Sequence, residues 1–178
     1  YDRDLGDIFA IQDEISLSVV QQLTAKILGR RGSTVRTNPN AYNEFLQGRY
    51  FEALGSLEGS EQAAVFYQAA LASDPEYSPA WSALANNYVS QAIRGYGDWK
   101  SLFELARGAA YRALAINPEG ALSHAALGSI ALTFDRDLSA AAIHLQRALR
   151  LEPKDRVVLN RVTMFLDSVG RFQDSIRL

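Results

Sequence analysis

The side chains best suited to chemistry in this sequence are two histidines, His124 and His144. If they face each other across a pair of helices, their imidazoles could share a metal ion. Neither has a second His or Cys at ligand spacing, however, so a packing role for both is the favoured interpretation. The chain contains no cysteine, which excludes disulfides, thiolate catalysis and cysteine metal sites.

Two other segments resemble ligand-binding loops without meeting their requirements. In the acidic run from Asp2 to Asp13, glycine holds the fifth position instead of the sixth, and Asp replaces the Glu of a calcium loop at the twelfth. Gly95 and Gly97 do not form a phosphate loop, because no strand precedes them and no Gly-Lys-Ser/Thr follows. We therefore expect no enzyme activity, no metal and no cofactor.

Composition and charge exclude further classes of function. Lys and Arg number 18 and Asp and Glu 20, so the net charge of −2 gives no field that would attract nucleic acid. No apolar run approaches the ~20 residues that span a bilayer, and the first residues do not form a signal peptide. With the lack of cysteine, this favours a cytoplasmic location. The chain lacks an initiator Met and stops inside a repeat, so we expect a fragment of a longer protein.

The elements that position these residues belong to a repeated unit. Similar phrases end at three prolines, which are separated by 43 and then 35 residues: Pro75, Pro118 and Pro153. This spacing fits a unit of about 34 residues with one long insertion. A unit this short cannot bury its own apolar face and must stack on its neighbours. The pattern predicts an elongated helical solenoid.

The repeats divide the chain into two regions. Residues 1–38 are predicted to form an amphipathic helix, from Asp7 to Leu28, and a linker. Residues 39–178 are predicted to form the repeat array. Its units are expected at 40–75, 78–118 and 121–153, with an incomplete fourth at 156–178.

Local signals place caps, an insertion and close helix contacts within the array. Asn40 is predicted to cap the first helix, and Asp137 the second helix of the third repeat. Residues 92–100 are predicted to form an aromatic insertion between helices. Small residues are expected where paired helices approach, with large residues filling the holes between them. The small residues are Gly48, Ala63, Ala85, Ala106, Gly128 and Ala141, and the large ones are Tyr67, Trp81, Tyr88 and Leu145.

The second repeat carries a family resemblance. Its pattern Trp81-x-x-Leu84-Ala85-x-x-Tyr88 … Ala106 … Ala113 … Pro118 resembles the tetratricopeptide repeat, a helix-turn-helix unit. The resemblance extends over residues 40–178, with departures at Glu44, His124, Ala131 and Thr163. It implies an all-α, right-handed α-solenoid whose first helices line a concave groove.

A second resemblance covers the whole chain. The opening Tyr1-Asp2-Arg3-Asp4, the segment at 7–15, the insertion with Tyr96 and the phrase Phe134-Asp135-Arg136-Asp137 are similar to certain bacterial regulatory proteins. In those proteins a TolB-like region leads into tetratricopeptide repeats. The resemblance implies an upstream effector domain of the adenylate cyclase, winged-helix regulator or protein kinase type.

The leading functional prediction is a non-catalytic interaction module of a larger bacterial signalling protein, which binds a peptide or partner helix in the groove. Residues predicted to line the groove are Tyr42, Phe45, Arg49, Ser82, Asn86, Ala125, Ser129, Asn160 and Met164. Tyr96 and Trp99 form a second candidate surface. A carboxylate clamp of Lys, Asn and Arg is not expected, because Ser82 and Ala126 stand where its Lys and Arg would fall.

Two alternative functions remain open. The chain could be the sensory region of a cyclase, kinase or winged-helix regulator whose effector domain is missing here. It could also be a self-association module that uses Leu166, Phe172 and Ile176. In each case the expected partner is a protein or peptide, with no nucleic acid and no membrane insertion.

Overall fold

The computed structural model describes residues 38–171, which form seven α-helices joined by short turns. They are α1 (Pro39–Ala53), α2 (Leu57–Ser73), α3 (Ser78–Arg94), α4 (Trp99–Ile116), α5 (Ala121–Ile130), α6 (Leu138–Leu151) and α7 (Arg156–Ser168). A π-helical turn, Ala131–Asp135, continues α5. The predicted N-terminal helix and linker, up to residue 37, and the end of the fourth repeat, 172–178, lie outside the described residues. The predicted domain boundaries therefore stay predictions.

Side chains cap several of these helices. Asn38 caps α1, because its Oδ1 accepts a hydrogen bond from the Asn40 backbone N–H at 3.0 Å. The prediction of Asn40 as the cap is wrong, since the fixed φ of Pro39 suits the first helical position and the helix begins there. Asp137 caps α6 as predicted, accepting from the Ala140 N–H at 2.9 Å.

The helices pack in sequential pairs, and the pairs stack. α1 packs with α2, α3 with α4 and α5 with α6, and each second helix also packs against the first helix of the next pair. The first helices contact one another as well, α3 with α5 and α5 with α7. This is an all-α solenoid, and α1, α3, α5 and α7 line the side that we call the inner surface.

Two glycines allow paired helices to come into close contact. A Cβ added at Gly48 would lie 2.5 Å from Tyr67 Cε1, and one at Gly128 would lie 2.6 Å from Leu145 Cγ. Tyr67 and Leu145 are themselves buried. The predicted pairing of small and large residues is confirmed at these two contacts, because any side chain at either glycine would overlap its neighbour.

The long second repeat extends its helices rather than forming a long loop. α3 continues to Arg94 and ends at Gly95, whose φ of 74° is left-handed. α4 begins at Trp99 after its cap Asp98, which accepts from the Lys100 N–H at 3.2 Å. The predicted loop of residues 92–100 is therefore wrong in extent, and only Gly95 to Asp98 turn the chain.

Aromatic and charged contacts join α4 to the π-helical turn. Phe134 of that turn stacks on Phe103 of α4 with ring centroids 5.3 Å apart, and the Trp99 ring meets Phe134 edge-on at 5.7 Å. Arg107 donates to both carboxylate oxygens of Asp135, at 2.8 and 3.1 Å. The exposed Trp99 thus lies where the second helix pair contacts the third, with its ring packed against Phe134.

Candidate functional site

Three of the predicted groove residues, Ser82, Asn86 and Ser129, lie in the interior. Ser82 Oγ lies 2.7 Å from Ser123 Oγ, and Asn86 Nδ2 donates to the Leu122 carbonyl at 2.8 Å, so both join α3 to α5. Ser129 donates to the Ala125 carbonyl of its own helix, and Ala125 is fully buried as well. The prediction that these residues line an open groove is wrong, because polar side chains pack α3 against α5. We call Ser82, Asn86 and Ser123 the polar seam.

The other predicted groove residues lie on α1 and α7, toward the two ends of the described array. Tyr42, Arg49 and Asn160 are exposed, whereas Phe45 and Met164 are half-buried. The Phe45 ring packs against the rings of Tyr67 and Tyr77, which lie at centroid distances of 5.8 and 5.5 Å. Tyr96 is half-buried in its turn. Whether any of these residues contacts a partner stays a prediction.

Arg161, which sequence analysis missed, reaches across the inner surface from α7 to α3. Its Nη2 donates to Ser90 Oγ at 2.9 Å, although the two residues are 71 positions apart. The side chain is only 7% exposed, and within residues 38–171 its Nε has no hydrogen-bond partner. A sequence signal was present, since Arg161 stands between the buried Val158 and Val162 on the apolar side of α7.

Glu52 of α1 faces several arginines at the same place. It accepts a hydrogen bond from the Tyr67 hydroxyl at 2.8 Å and lies 4.0 Å from Arg49 Nε. Burial raises the pKa of Glu52, while Tyr67, Arg49 and Arg156 act in the opposite direction. Its pKa thus reflects a carboxylate that is largely removed from water but held among positive charges.

Burial and the neighbouring Arg94 lower the pKa of Arg161 to about 10, and Glu52 partly opposes this. We call the group of Glu52, Ser90 and the four arginines 49, 94, 156 and 161 the inner cluster. Among the charged groups that these interactions link in the described part of the chain, four are cationic and one is anionic. The inner cluster therefore favours an anionic ligand over a cationic one.

Two further buried side-chain atoms on the inner helices, Glu44 Oε2 and Asn86 Oδ1, have no hydrogen-bond partner within residues 38–171. The amide nitrogen of Asn86 donates to the Ser82 and Leu122 carbonyls, but its Oδ1 has no partner among residues 38–171. The residue is 5% exposed. An unsatisfied buried polar atom costs about 1–3 kcal/mol. Asn86 Oδ1 is thus an acceptor, and Arg161 Nε a donor, without a partner in the described part of the chain. A hydrogen bond from another group to either atom would lower the free energy of the structure.

The two histidines do face each other, as the sequence suggested. His124 Nδ1 and His144 Nδ1 are 3.1 Å apart, and His124 Nε2 lies 3.3 Å from the Pro118 carbonyl oxygen. Because that carbonyl can only accept, His124 carries its proton on Nε2, and its Nδ1 accepts from the Nδ1–H of His144. Burial lowers the pKa of both imidazoles, reinforced by Arg147 at His124 and by His124 at His144.

The histidine pair makes stability depend on pH. The unfolded chain takes up protons near pH 6.5, before the folded pair with its lowered pKa values does. The unfolded state therefore binds more protons in this window, and stability that is present above pH 6.5 is lost as the pH falls. We expect urea denaturation at pH 7.5, 6.5 and 5.5 to show a steeper decline in the wild type than in a His124→Gln/His144→Gln variant. Carboxylates titrate alike in both proteins, so equal slopes would contradict this prediction.

Solved structures with the same arrangement of helices are known. The tetratricopeptide-repeat domain of Arabidopsis OM64 superposes with a TM-score of 0.57 at 15% identity, over 72% of this chain and 96% of that one. Residues 38–171 adopt the tetratricopeptide-repeat fold. The first tetratricopeptide-repeat domain of Spaghetti (RPAP3), solved with the HSP90 peptide SRMEEVD, gives 0.56 at 18% identity over 75% and 95%. A thermophilic tetratricopeptide-repeat protein of Thermus thermophilus gives 0.51 at 20% identity over 77% and 87%.

Sequence comparison finds a more limited likeness. No family model matches the sequence. A candidate adenylate cyclase of Rhizobium meliloti (strain 1021) is 39% identical over 66 residues, which cover 33% of this chain and 11% of that protein. The match thus spans a small part of a much longer relative. No helix of the tetratricopeptide-repeat array within residues 38–171 is long and apolar enough to cross a membrane.

Proposed function

We propose that the array is a protein-interaction module which binds an acidic segment of a partner along its inner surface. The observation that carries this proposal is Arg161, a buried arginine of the inner cluster whose Nε is unpaired within residues 38–171. Peptide binding is a common use of helical grooves, and the charge of this surface defines the kind of peptide.

A carboxylate from the partner would complete the inner cluster. Arg161 is shifted toward its neutral form by burial and by Arg94, so a nearby negative charge would stabilise its charged form. Hydrogen bonds between arginine and carboxylate are among the stronger ones in proteins, particularly where water is excluded. Pairing at Nε would also remove the cost of an unsatisfied donor.

The remaining contacts suit an extended chain. Tyr42, Phe45 and Met164 offer apolar contact, and Arg49 and Asn160 offer exposed polar groups. The HSP90 peptide bound by the Spaghetti domain, SRMEEVD, contains three acidic residues, which agrees with this choice of partner.

The setting that we favour is a regulatory region within a larger bacterial signalling protein. The similarity to part of a Rhizobium meliloti cyclase candidate supports this setting, as does the resemblance of the opening segment to TolB-like regulators. The array would then convey partner binding to an effector domain of the cyclase, kinase or winged-helix type. Three predictions from the sequence accompany this proposal: a non-catalytic function, a cytoplasmic location and, as the alternative function, self-association.

Selection of peptides provides the test. We expect the full chain, panned against a random ten-residue peptide library, to enrich sequences rich in Asp and Glu. A synthetic peptide from that pool should bind less tightly as salt rises from 50 to 500 mM, because exposed charges are screened. An Arg49→Glu/Arg156→Glu variant should lose about tenfold or more in affinity, since two attractions become repulsions.

The control for this experiment is Arg150→Glu, which reverses an exposed charge on the outer helix α6. It should bind the peptide as the wild type does, and circular dichroism should show the same helicity for all three proteins. Enrichment without acidic residues, or an equal loss in Arg150→Glu, would refute the proposal. Concentration-dependent light scattering without any enriched peptide would favour self-association instead.

A further inference from the structure

We propose that His124 and His144 form a binding site for a divalent transition metal that prefers imidazole, namely Zn²⁺, Ni²⁺ or Cu²⁺. The site lies between α5 and α6 and uses none of the inner-cluster residues. It is therefore independent of the proposed peptide-binding function.

The distance between the two nitrogens fits a shared metal. With metal–nitrogen bonds of about 2.0–2.1 Å, two imidazole ligands lie about 3.3 Å apart in a tetrahedral site and about 2.9 Å apart at a right angle. His124 Nδ1 and His144 Nδ1 are 3.1 Å apart, between these two values. The separation thus suits a shared metal, and each ring would turn so that its Nδ1 lone pair points at the ion instead of at the other nitrogen.

The protonation pattern of the pair also suits metal binding. His124 directs Nε2 at the Pro118 carbonyl, at 3.3 Å, and this leaves a lone pair on Nδ1. A backbone carbonyl on the second ring nitrogen is one of the means, beside a carboxylate or water, by which proteins orient a metal-binding histidine. For His144 to bind, its proton moves from Nδ1 to Nε2, so the metal replaces one hydrogen bond and no net proton is released.

The surroundings allow an ion to enter but do not enclose it. Both imidazoles are half-buried, so solvent reaches them. Arg147 opposes a cation, although its Nη2 lies 3.4 Å from Glu119 Oε1, which offsets part of its charge. No group of three or more His, Cys, Asp or Glu suited to a metal is present within residues 38–171. Water would fill the remaining positions, so the ion would have one protein ligand fewer than in zinc sites that keep three protein ligands and one water.

The composition of the chain makes this pair a distinctive feature. Only two histidines and no cysteines occur in all 178 residues. Both of these histidines lie at one site with their Nδ1 atoms in contact. Imidazole and thiolate are the ligands that Zn²⁺, Ni²⁺ and Cu²⁺ prefer in proteins, so this pair is the one place in the sequence that offers these ions a preferred ligand.

Calorimetric titration of the untagged full chain with ZnCl₂ and NiCl₂ at pH 7.5 tests the site. We expect one ion per chain and a melting temperature several degrees higher when free Zn²⁺ exceeds the dissociation constant by about 100-fold. In long-range ¹H–¹⁵N spectra, both Nδ1 signals should shift on addition of Zn²⁺, since metal binding changes the environment of each Nδ1.

Single variants His124→Gln and His144→Gln should each lower the affinity at least tenfold. Gln146→Ala, at an exposed position of the same helix as His144, should bind like the wild type. The titrations are run at 10 °C on proteins shown to be helical, so that a loss of fold is not mistaken for a loss of binding. Absence of one-to-one binding in the wild type, unshifted Nδ1 signals, or wild-type affinity in the two glutamine variants would overturn the proposal.

Discussion

Replacing Tyr67 by alanine is expected to lower the free energy of unfolding by about 3–5 kcal/mol, the range typical of large aromatic residues in protein cores. Tyr67 is fully buried and fills the space above Gly48 between α1 and α2. The substitution also leaves Glu52 without the hydroxyl that donates to it at 2.8 Å. Urea denaturation followed by circular dichroism at 222 nm measures the loss.

Two further variants separate packing from hydrogen bonding at this position. Tyr67→Phe keeps the ring and removes only the hydroxyl, so we expect a loss of about 1–3 kcal/mol from the missing hydrogen bond to the Glu52 carboxylate. Tyr111→Ala removes an equally large ring that is 56% exposed on α4, and its effect should stay within about 0.5 kcal/mol. Similar losses in Tyr67→Ala and Tyr111→Ala would be incompatible with the packing described for α1 and α2.

Gly128→Ala is expected to destabilise the array by about 1–3 kcal/mol, the usual cost of overpacking. The new Cβ would lie 2.6 Å from Leu145 Cγ, 2.8 Å from Leu145 Cδ2 and 3.3 Å from the Leu145 backbone nitrogen. Because backbone as well as side chain blocks the site, α5 and α6 would have to move apart. Thermal and urea denaturation both report the change.

Gly108 provides a matched control for this substitution. It lies exposed on α4, and a Cβ there would meet nothing within 4 Å. Gly108→Ala should therefore stabilise the protein by about 0.5–1 kcal/mol through helix propensity. In a double-mutant cycle, Gly128→Ala/Leu145→Ala should cost less than the sum of its two single changes, because Leu145→Ala removes the two nearest obstructing atoms, Cγ and Cδ2. Additive losses would show that the two residues do not make the contact described.

Much of the helical framework was predictable because it depends on residues close in sequence. In the first and third repeats a glycine of the first helix lies against a large residue of the second helix, Gly48 against Tyr67 and Gly128 against Leu145, and this recurring pairing of small and large residues predicts which side chains meet. The prediction of Asn40 as the cap fails because an asparagine stands on each side of Pro39. Pro39 is the first residue of the helix, so the asparagine before it, Asn38, is the cap. The predicted insertion is too long, because a repeat gains the same length whether the added residues extend its helices or its loop. The sequence spacing alone does not distinguish the two.

The inner surface was less predictable, because it depends on how successive pairs are stacked. Ser82 and Asn86 look like groove residues in one repeat, but Ser123 and Leu122 of the next repeat bury them. Arg161 reaches Ser90 over 71 positions, and no local pattern encodes such a contact. The position of a residue in its repeat predicts on which face of its helix the side chain lies. The twist between successive helix pairs decides whether that face is exposed to solvent or buried by the next repeat.

The π-helical turn after α5 changes the direction in which the side chains that follow it point. A π-helical turn holds one residue more than an α-helical turn, and one residue corresponds to about 100° of rotation around an α-helix. The extra residue sets the azimuth of Phe134, which stacks on Phe103, and brings Asp135 to Arg107 of the preceding pair. If the same five residues, Ala131–Asp135, continued as a regular α-helix, the extra rotation of about 100° would turn both side chains away from α4. In this segment the π-helical geometry, more than residue type, determines the coupling between neighbouring repeats.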